Sequence, residues 1–347
     1  MRGGIITYFW SNNIGALIQS ISLREFLKNK ITPNFQFETY IPNELVVREK
    51  NSQLKTLNPI KYFKAYKKNL YLDNWKKKIA NLPDYITQKG TNIYDKDFYI
   101  YGSDEIWNYK NPFFNYDDYY YGQNNNKKKI AYAASVGNLD LKNENIPLKV
   151  KENIRSFKKI TVRDNNTFEF VKIITGKETT IVCDPSFLIT PEIISGNNSK
   201  YFDILNKKKF IMIYGLYFSK KQINVIKRYS KKNNLKIISV CYYNLWADFN
   251  FLSVDPNEFI QILKSSSFVI TSMFHGIMLS YKNKKNFWFS LDPYRKNKID
   301  FFLDKFKLRD RLLVDLNDEK INFEKDKNNL DDWINLSKEQ LLGSFSY

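Results

Sequence analysis

The 347-residue chain holds a single histidine, and it lies in Thr271-Ser272-Met273-Phe274-His275-Gly276. Histidine is the side chain that gives and takes protons most readily near neutral pH. The apolar run Phe268-Val269-Ile270 leads into the segment, and the helix-compatible Ile277-Met278-Leu279-Ser280 follows it. Strand, tight turn and helix is the arrangement that places a side chain at the mouth of a parallel sheet. On spacing alone, a proton-transferring histidine and a satisfied structural one both stay open.

The elements that would carry such a site alternate along the chain. Gly3 to Trp10 reads as a buried strand, Ser11-Asn12-Asn13 as a turn and cap, and Ile14, Leu17, Ile18 and Ile21 recur at helical spacing. Asp97–Tyr101 then reads as a strand ending in Gly102-Ser103-Asp104-Glu105. Lys129–Ala134 ends in Ser135-Val136-Gly137, Lys159–Val162 in Arg163-Asp164, and Thr180–Cys183 in Asp184-Pro185. Four strands therefore deliver small, polar or charged residues at their carboxyl ends, which points to a composite site. After a polar linker over 188–207, a second series follows. It comprises strand Phe210–Tyr214, helix 219–233, strand Lys236–Cys241, helix 256–264, strand Phe268–Thr271 and the helix after His275. The pattern predicts an α/β protein of GT-B-like architecture, two doubly wound Rossmann-like domains facing a cleft. The expected division is a first domain over 1–190, a second over 205–325 and a helical tail over 326–347. Neither GxGxxG nor GxxxxGK[ST] occurs, which argues against an ordinary NAD or ATP site.

Composition narrows the class. Hydrophobic residues at 43% and aromatics at 16% suffice for packed cores and argue against disorder. The net charge of +19 attracts anions: phosphorylated metabolites, acidic glycans, anionic lipid or nucleic acid. No nucleic-acid-binding motif accompanies it, so nucleic acid is not an expected partner. Residues 41–93 concentrate charge, reading as a basic aromatic helical insertion in the first domain. Between Pro59 and Ala80 stand seven lysines and one acid, Asp73, interleaved with Tyr62, Phe63, Tyr66, Leu70, Tyr71 and Trp75. A solvated helix face is one reading, and peripheral contact with an anionic membrane or glycan is the other. Cys183 and Cys241 lie in apolar runs with no metal-ligand neighbour and read as buried reduced thiols. The opening MRGGIITYFW lacks a signal-peptide pattern, and no run approaches the ~20 apolar residues that span a bilayer. A cytoplasmic protein, peripheral at the inner face of the membrane if the basic segment binds lipid, is the expectation. One histidine, no cysteine cluster and no acidic D-x-D argue against a metal site.

Several segments in order resemble one family, the polysaccharide pyruvyl transferases. Asn13-Ile14-Gly15-Ala16 with Gln19 resembles its N-Y-G-A…Q motif, and Tyr101-Gly102-Ser103-Asp104-Glu105-Ile106-Trp107-Asn108 its GSDQVWN. Ala131-Tyr132-Ala133-Ala134-Ser135-Val136-Gly137 is similar to its AYAASFG, Val162-Arg163-Asp164 to its VRE/VRD, and Asp184-Pro185 to its DPT. The His275 segment is similar to its TDSFHG, and Leu308-Arg309-Asp310-Arg311-Leu312 to a C-terminal segment. Met273 stands where some members carry arginine, which places the chain with an SFHG-type branch, and Asn286 stands where proline is usual.

The resemblance implies a transferase with phosphoenolpyruvate as donor and no further cofactor. A sugar diol in a surface polysaccharide such as a capsule or exopolysaccharide, or in its lipid-linked oligosaccharide precursor, would accept a pyruvate ketal. It makes His275 the general acid/base and puts the donor on the second domain with Ser272, His275, Gly276 and Arg295, the helix after His275 offering N–H groups to phosphate. Arg163 is then an anion clamp, its alternative being a surface ion pair with Asp164 or Glu169. Asn13, Ser103, Asp104 and Ser135 would meet the acceptor's hydroxyls on the first domain, Asp104 also serving as its base. Helix capping by Asn13 and loop-stabilising bonds by Ser103 and Asp104 are the structural alternatives. Glu258 reads as a first-turn helix residue, and Lys296 beside Arg295 adds positive potential. A nucleotide-sugar-dependent glycosyltransferase and a non-catalytic scaffold at the membrane are the rival functions.

Overall fold

The computed structural model describes residues 1–54, 59–78, 80–87, 94–111, 116–143, 145–189, 201, 209–291, 296–317 and 319–345. Two compact units emerge. The first comprises Met1–Lys55, Asn81–Pro191 and Asn329–Tyr347, the second Thr56–Ala80 and Glu192–Asn328.

The first unit is built on a six-stranded parallel sheet of order β2-β1-β3-β4-β5-β6. Its strands are β1 (Gly3–Ile6), β2 (Phe35–Phe37), β3 (Phe98–Tyr101), β4 (Lys128–Ala134), β5 (Lys159–Val162) and β6 (Thr180–Ile181). β1 and β3 run in register from Gly3 opposite Phe98 to Ile6 opposite Tyr101. Continuous apolar strands suit a parallel sheet covered on both faces, and β3 is buried at every position. Helices α1 (Ile14–Lys30), α2 (Asn43–Leu54), α4 (Leu148–Arg155) and α5 (Asn165–Thr175) belong to this unit. Of the expected strand Gly3–Trp10, only Gly3–Ile6 pairs, and the chain then turns, with Ser11 N donating to the Tyr8 carbonyl at 3.2 Å.

The second unit is a five-stranded parallel sheet of order β11-β10-β7-β8-β9. The strands are β7 (Phe210–Tyr214), β8 (Lys236–Val240), β9 (Phe249–Phe251), β10 (Phe268–Thr271) and β11 (Phe287–Phe289). The helices are α6 (Lys220–Lys232), α7 (Pro256–Ser265), α8 (Phe274–Lys282) and α9 (Lys296–Lys305). Ser219 with Gln222 closes a capping box at α6, and Asp255 with Glu258 closes another at α7, fixing where both helices start. Glu258 is therefore a first-turn residue, as its spacing predicts.

Two segments are placed differently from the sequence expectation. Helix α3 (Pro59–Lys78), read as an insertion in the first domain, groups with the second unit. Its Tyr71 hydroxyl lies 3.0 Å from Asp255 Oδ2 and 2.9 Å from Glu258 Oε2, and Lys68 Nζ donates to the Cys241 carbonyl at 3.2 Å. Helix α10 (Lys327–Leu342), read as a tail, is part of the first unit. Trp333 Nε1 donates to the Ile181 carbonyl at 3.2 Å, and Ser337 Oγ accepts from Cys183 N at 2.8 Å. Most of the expected linker, 190–200 and 202–208, lies outside the described residues. Both cysteines are buried, and burial pushes the Cys241 thiol up to about 12.

Candidate active site

In the first unit the sheet order brings β3, β4, β5 and β6 side by side, so their carboxyl ends gather Ser103, Asp104, Ser135, Arg163, Asp164 and Asp184. Adjacent strands stand about 4.8 Å apart, within reach of these side chains. Arg163, 3% exposed, is the hub. Its Nη1 donates to Asp184 Oδ2 at 2.9 Å and to Ser103 Oγ at 3.3 Å, and its Nη2 to Asp104 Oδ1 at 3.4 Å. Burial opposes the guanidinium's charge, but the carboxylates of Asp104, Asp184 and Asp164 outweigh it and hold the pKa above its ordinary value.

Each partner is itself held. Asp184 Oδ1 accepts from Ser186 N at 3.0 Å, capping the short turn Pro185–Phe187. Asp164, wholly buried, caps α5 through Thr167 N at 2.8 Å and accepts from Ser135 Oγ at 2.6 Å. Burial raises its pKa against the bonds from Ser135 and Thr167. Asp104 sits at φ +83 with its carboxylate 17% exposed, the most open acid of the group, and its Oδ1 also accepts from Glu105 N at 2.8 Å. Beside the anion clamp that the resemblance implies for Arg163, the structure shows its fork meeting two carboxylates and the Ser103 hydroxyl. The ion pairs that its buried guanidinium forms go to Asp184 and Asp104, in place of a surface pair with Asp164 or Glu169.

The remaining first-unit residues divide. Ser103 and Ser135 are completely buried and bonded within the network. Asn13 is exposed and caps α1, accepting from Gly15 N at 2.9 Å. Beside it, Glu49 of α2 accepts from Ser11 Oγ and from Asn12 N, a buried carboxylate that no motif singled out. The rest of the Tyr101–Asn108 motif is scaffold. Trp107, wholly buried, donates Nε1 to the Tyr120 carbonyl at 3.1 Å, and Asn108 Nδ2 donates to Glu105 Oε2 at 3.4 Å.

In the second unit, β10 ends at Thr271 and α8 begins at Phe274, so His275 lies in the first helical turn, 9% exposed. Hydroxyls flanking it clamp backbone. Thr271 Oγ1 donates to the Tyr214 carbonyl at 2.6 Å and accepts from Met273 N at 3.0 Å. Ser272 Oγ donates to the Leu216 carbonyl at 3.0 Å and accepts from Leu216 N at 3.1 Å, tying the loop after β7 to the loop after β10. A Cβ on Gly276 would fall 2.1 Å from Thr271 Oγ1, so only glycine lets α8 close on β10 here. Gly276 N donates to the Met273 carbonyl at 3.0 Å, and Ile277 N to the same oxygen at 3.2 Å. Ser272 and Gly276, expected to bind donor, thus have their hydrogens committed to the fold. Arg295 lies outside the described residues, as does the Lys296 side chain. Among the described residues, no three His, Cys, Asp or Glu gather as a metal site.

The family model for polysaccharide pyruvyl transferase matches residues 13–292, from the α1 cap through β11. The chain belongs to the polysaccharide pyruvyl transferase family. The family is one of transferases, so the protein is an enzyme of that kind, and the matched range includes Asp104, Arg163 and His275. No individually curated protein matches the sequence. Among solved structures, a Listeria monocytogenes protein assigned as a UDP-N-acetylglucosamine 2-epimerase superposes with a TM-score of 0.50 at 10% identity, over 99% of this chain and 90% of that one. Staphylococcus aureus MnaA with UDP gives 0.49 at 11% identity, over 97% and 91% of the two chains. Escherichia coli heptosyltransferase WaaC with ADP gives 0.36 at 11%, over 85% and 89%. At such identity the Listeria likeness establishes a fold, the two-unit Rossmann-like architecture.

Proposed function

We propose that this pyruvyl transferase takes pyruvate from phosphoenolpyruvate and fixes it as a ketal on a sugar diol of a surface polysaccharide or its lipid-linked precursor. The enol CH2 gains a proton, and one acceptor hydroxyl bonds to the adjacent carbon. Phosphate leaves with its bridging oxygen as the second hydroxyl closes the ring. Of the two hydroxyl protons, one replaces that delivered to carbon and the other leaves with phosphate, so the atoms balance. One group that both donates and accepts a proton fits this sequence, and we assign it to His275. The observation carrying the reading is the position of the chain's one histidine in the first turn of α8, at the carboxyl end of β10, within the family-matched range. A bound dianion beside it would favour the acidic imidazolium. On the first unit we assign a sugar hydroxyl to Asp104, with Arg163 as the residue that positions it.

Thermal shift and phosphate-release assays test the donor. Phosphoenolpyruvate is expected to raise Tm while UDP and CMP do not, and phosphate is released only when a sugar diol is present. Stabilisation by UDP or CMP alone would replace this reading with nucleotide-sugar transfer.

A further inference from the structure

Helix α3 presents two unlike faces. Inward, Leu72 and Trp75 are buried, Tyr71 bridges Asp255 and Glu258, and Lys68 reaches the Cys241 carbonyl. Lys76, 7% exposed, pairs with Asp73 at 3.0 Å, so the helix's one acid is neutralised. Outward stand Tyr62, Phe63, Tyr66 and Leu70, each about half exposed. Positions 62, 66 and 70 are one helical turn apart, and 63 adjoins them, so the four form a stripe. Lys61, Lys67, Lys77 and Lys78 are exposed on the same helix. Trp75, one of the aromatics interleaved with these lysines, belongs to the buried side.

We infer that the outward face of α3 docks on an anionic lipid bilayer. An apolar and aromatic stripe flanked by lysines matches the chemistry of the interface, where rings enter the headgroup layer and ammonium groups meet anionic lipid. The described helices include none long and apolar enough to cross a membrane, so contact of this kind is peripheral. The placement has a consequence for the site. The contacts that Lys64, Lys68 and Tyr71 of α3 make outside the helix go to the carboxyl end of the second unit's sheet. Cys241 follows β8, Tyr242 and Tyr243 lie beneath Lys68 and Lys64, and Asp255 caps α7. His275 follows β10 at that same end. A bilayer held by α3 would therefore lie at the end of the unit that carries His275, where, on the function proposed above, a lipid-linked acceptor would be delivered. The docking itself does not depend on which reaction the site performs.

Sedimentation with phosphatidylcholine vesicles, with and without phosphatidylglycerol, reads the surface without any activity assay. Wild-type protein is expected to bind the anionic vesicles at low salt, to release at high salt, and to ignore the neutral ones. Replacing Lys61, Lys67, Lys77 and Lys78 with Gln should weaken binding about a hundredfold or more. Replacing Tyr62, Phe63, Tyr66 and Leu70 with Ser should weaken it about tenfold or more. All eight side chains are exposed, and circular dichroism verifies that each variant is folded. A third variant, with Lys220, Lys221, Lys227 and Lys231 of α6 changed to Gln, loses equal charge from another exposed helix and should bind like wild type. Three results each overturn the inference: wild type binds neither vesicle, the α6 variant loses as much as the α3 lysine variant, or the serine variant binds unchanged. The last would describe a basic patch suited to an acidic protein.

Discussion

The two units solve one problem in opposite ways. Both must hold polar groups at the carboxyl ends of parallel strands. The first unit does it with charge: Arg163, Asp184, Asp164 and Asp104 restrain one another across β3 to β6, mostly out of water. The second does it with neutral hydroxyls and close packing: Thr271 and Ser272 grip backbone, and Gly276 leaves no room for a side chain. A buried ion network is costly to break, because removing one member strands another in low dielectric. A hydroxyl clamp costs less to lose, about 1 kcal/mol per bond. The first unit's polar residues should therefore register in stability, and the second unit's histidine in turnover.

The sharpest break of that comparison is His275→Ala. Turnover should fall roughly 10²–10⁴-fold, the span a positioned acid/base supplies. The urea midpoint should shift little. Near-wild-type phosphate release by folded variant would take His275 out of the mechanism and leave the second unit's strand end purely structural.

Next in size is Arg163→Met. It leaves Asp184, with no exposed surface, facing an apolar side chain. Unfolding in urea should show a loss of about 3–5 kcal/mol. Asp184→Asn should cost less, since Asp104 still answers the guanidinium. A stable Arg163→Met variant that no longer responds to phosphoenolpyruvate would restore the anion-clamp reading and erase the contrast between the units.

The same contrast governs what was legible in sequence. Strands β5, β7 and β10 match their expected bounds because a clear breaker follows each: Arg163 after Val162, Gly215 after Tyr214, and the Ser272-Met273 turn after Thr271. Strands β2, β9 and β11 are three residues each and lie at or near sheet edges, too short for any period to declare them. Arg163 was visible as a strand-end cation, but its partners lie 21 and 59 residues away in sequence, so only the sheet order names them. Helix α3 read correctly as basic and aromatic. Its home in the second unit depends on Tyr71 meeting the α7 capping box, a contact 184 residues distant. At Gly276 the sequence shows only a motif glycine, and the steric demand on it, a Cβ that would meet Thr271 Oγ1, needs the packing of α8 on β10.

The smallest expected effect is also the one that pH exposes. Glu38 follows β2 in the first unit and is 7% exposed. Burial pushes its carboxyl up to about 7 from 4.5, against the pull of Lys96, whose ammonium is 3.8 Å away. Between pH 4.5 and 7 the folded protein keeps a proton that the unfolded chain releases. Stability linked to this group is therefore fully present below pH 4.5 and is lost as pH rises through 7. A shift of this size corresponds to roughly 1–3 kcal/mol. Glu38→Gln removes the titration, so its urea-derived stability should decline less than wild type's between pH 5 and pH 8. If the two pH profiles run parallel, burial does not hold the proton on Glu38, and its carboxylate joins Glu49 as buried charge outside the network around Arg163.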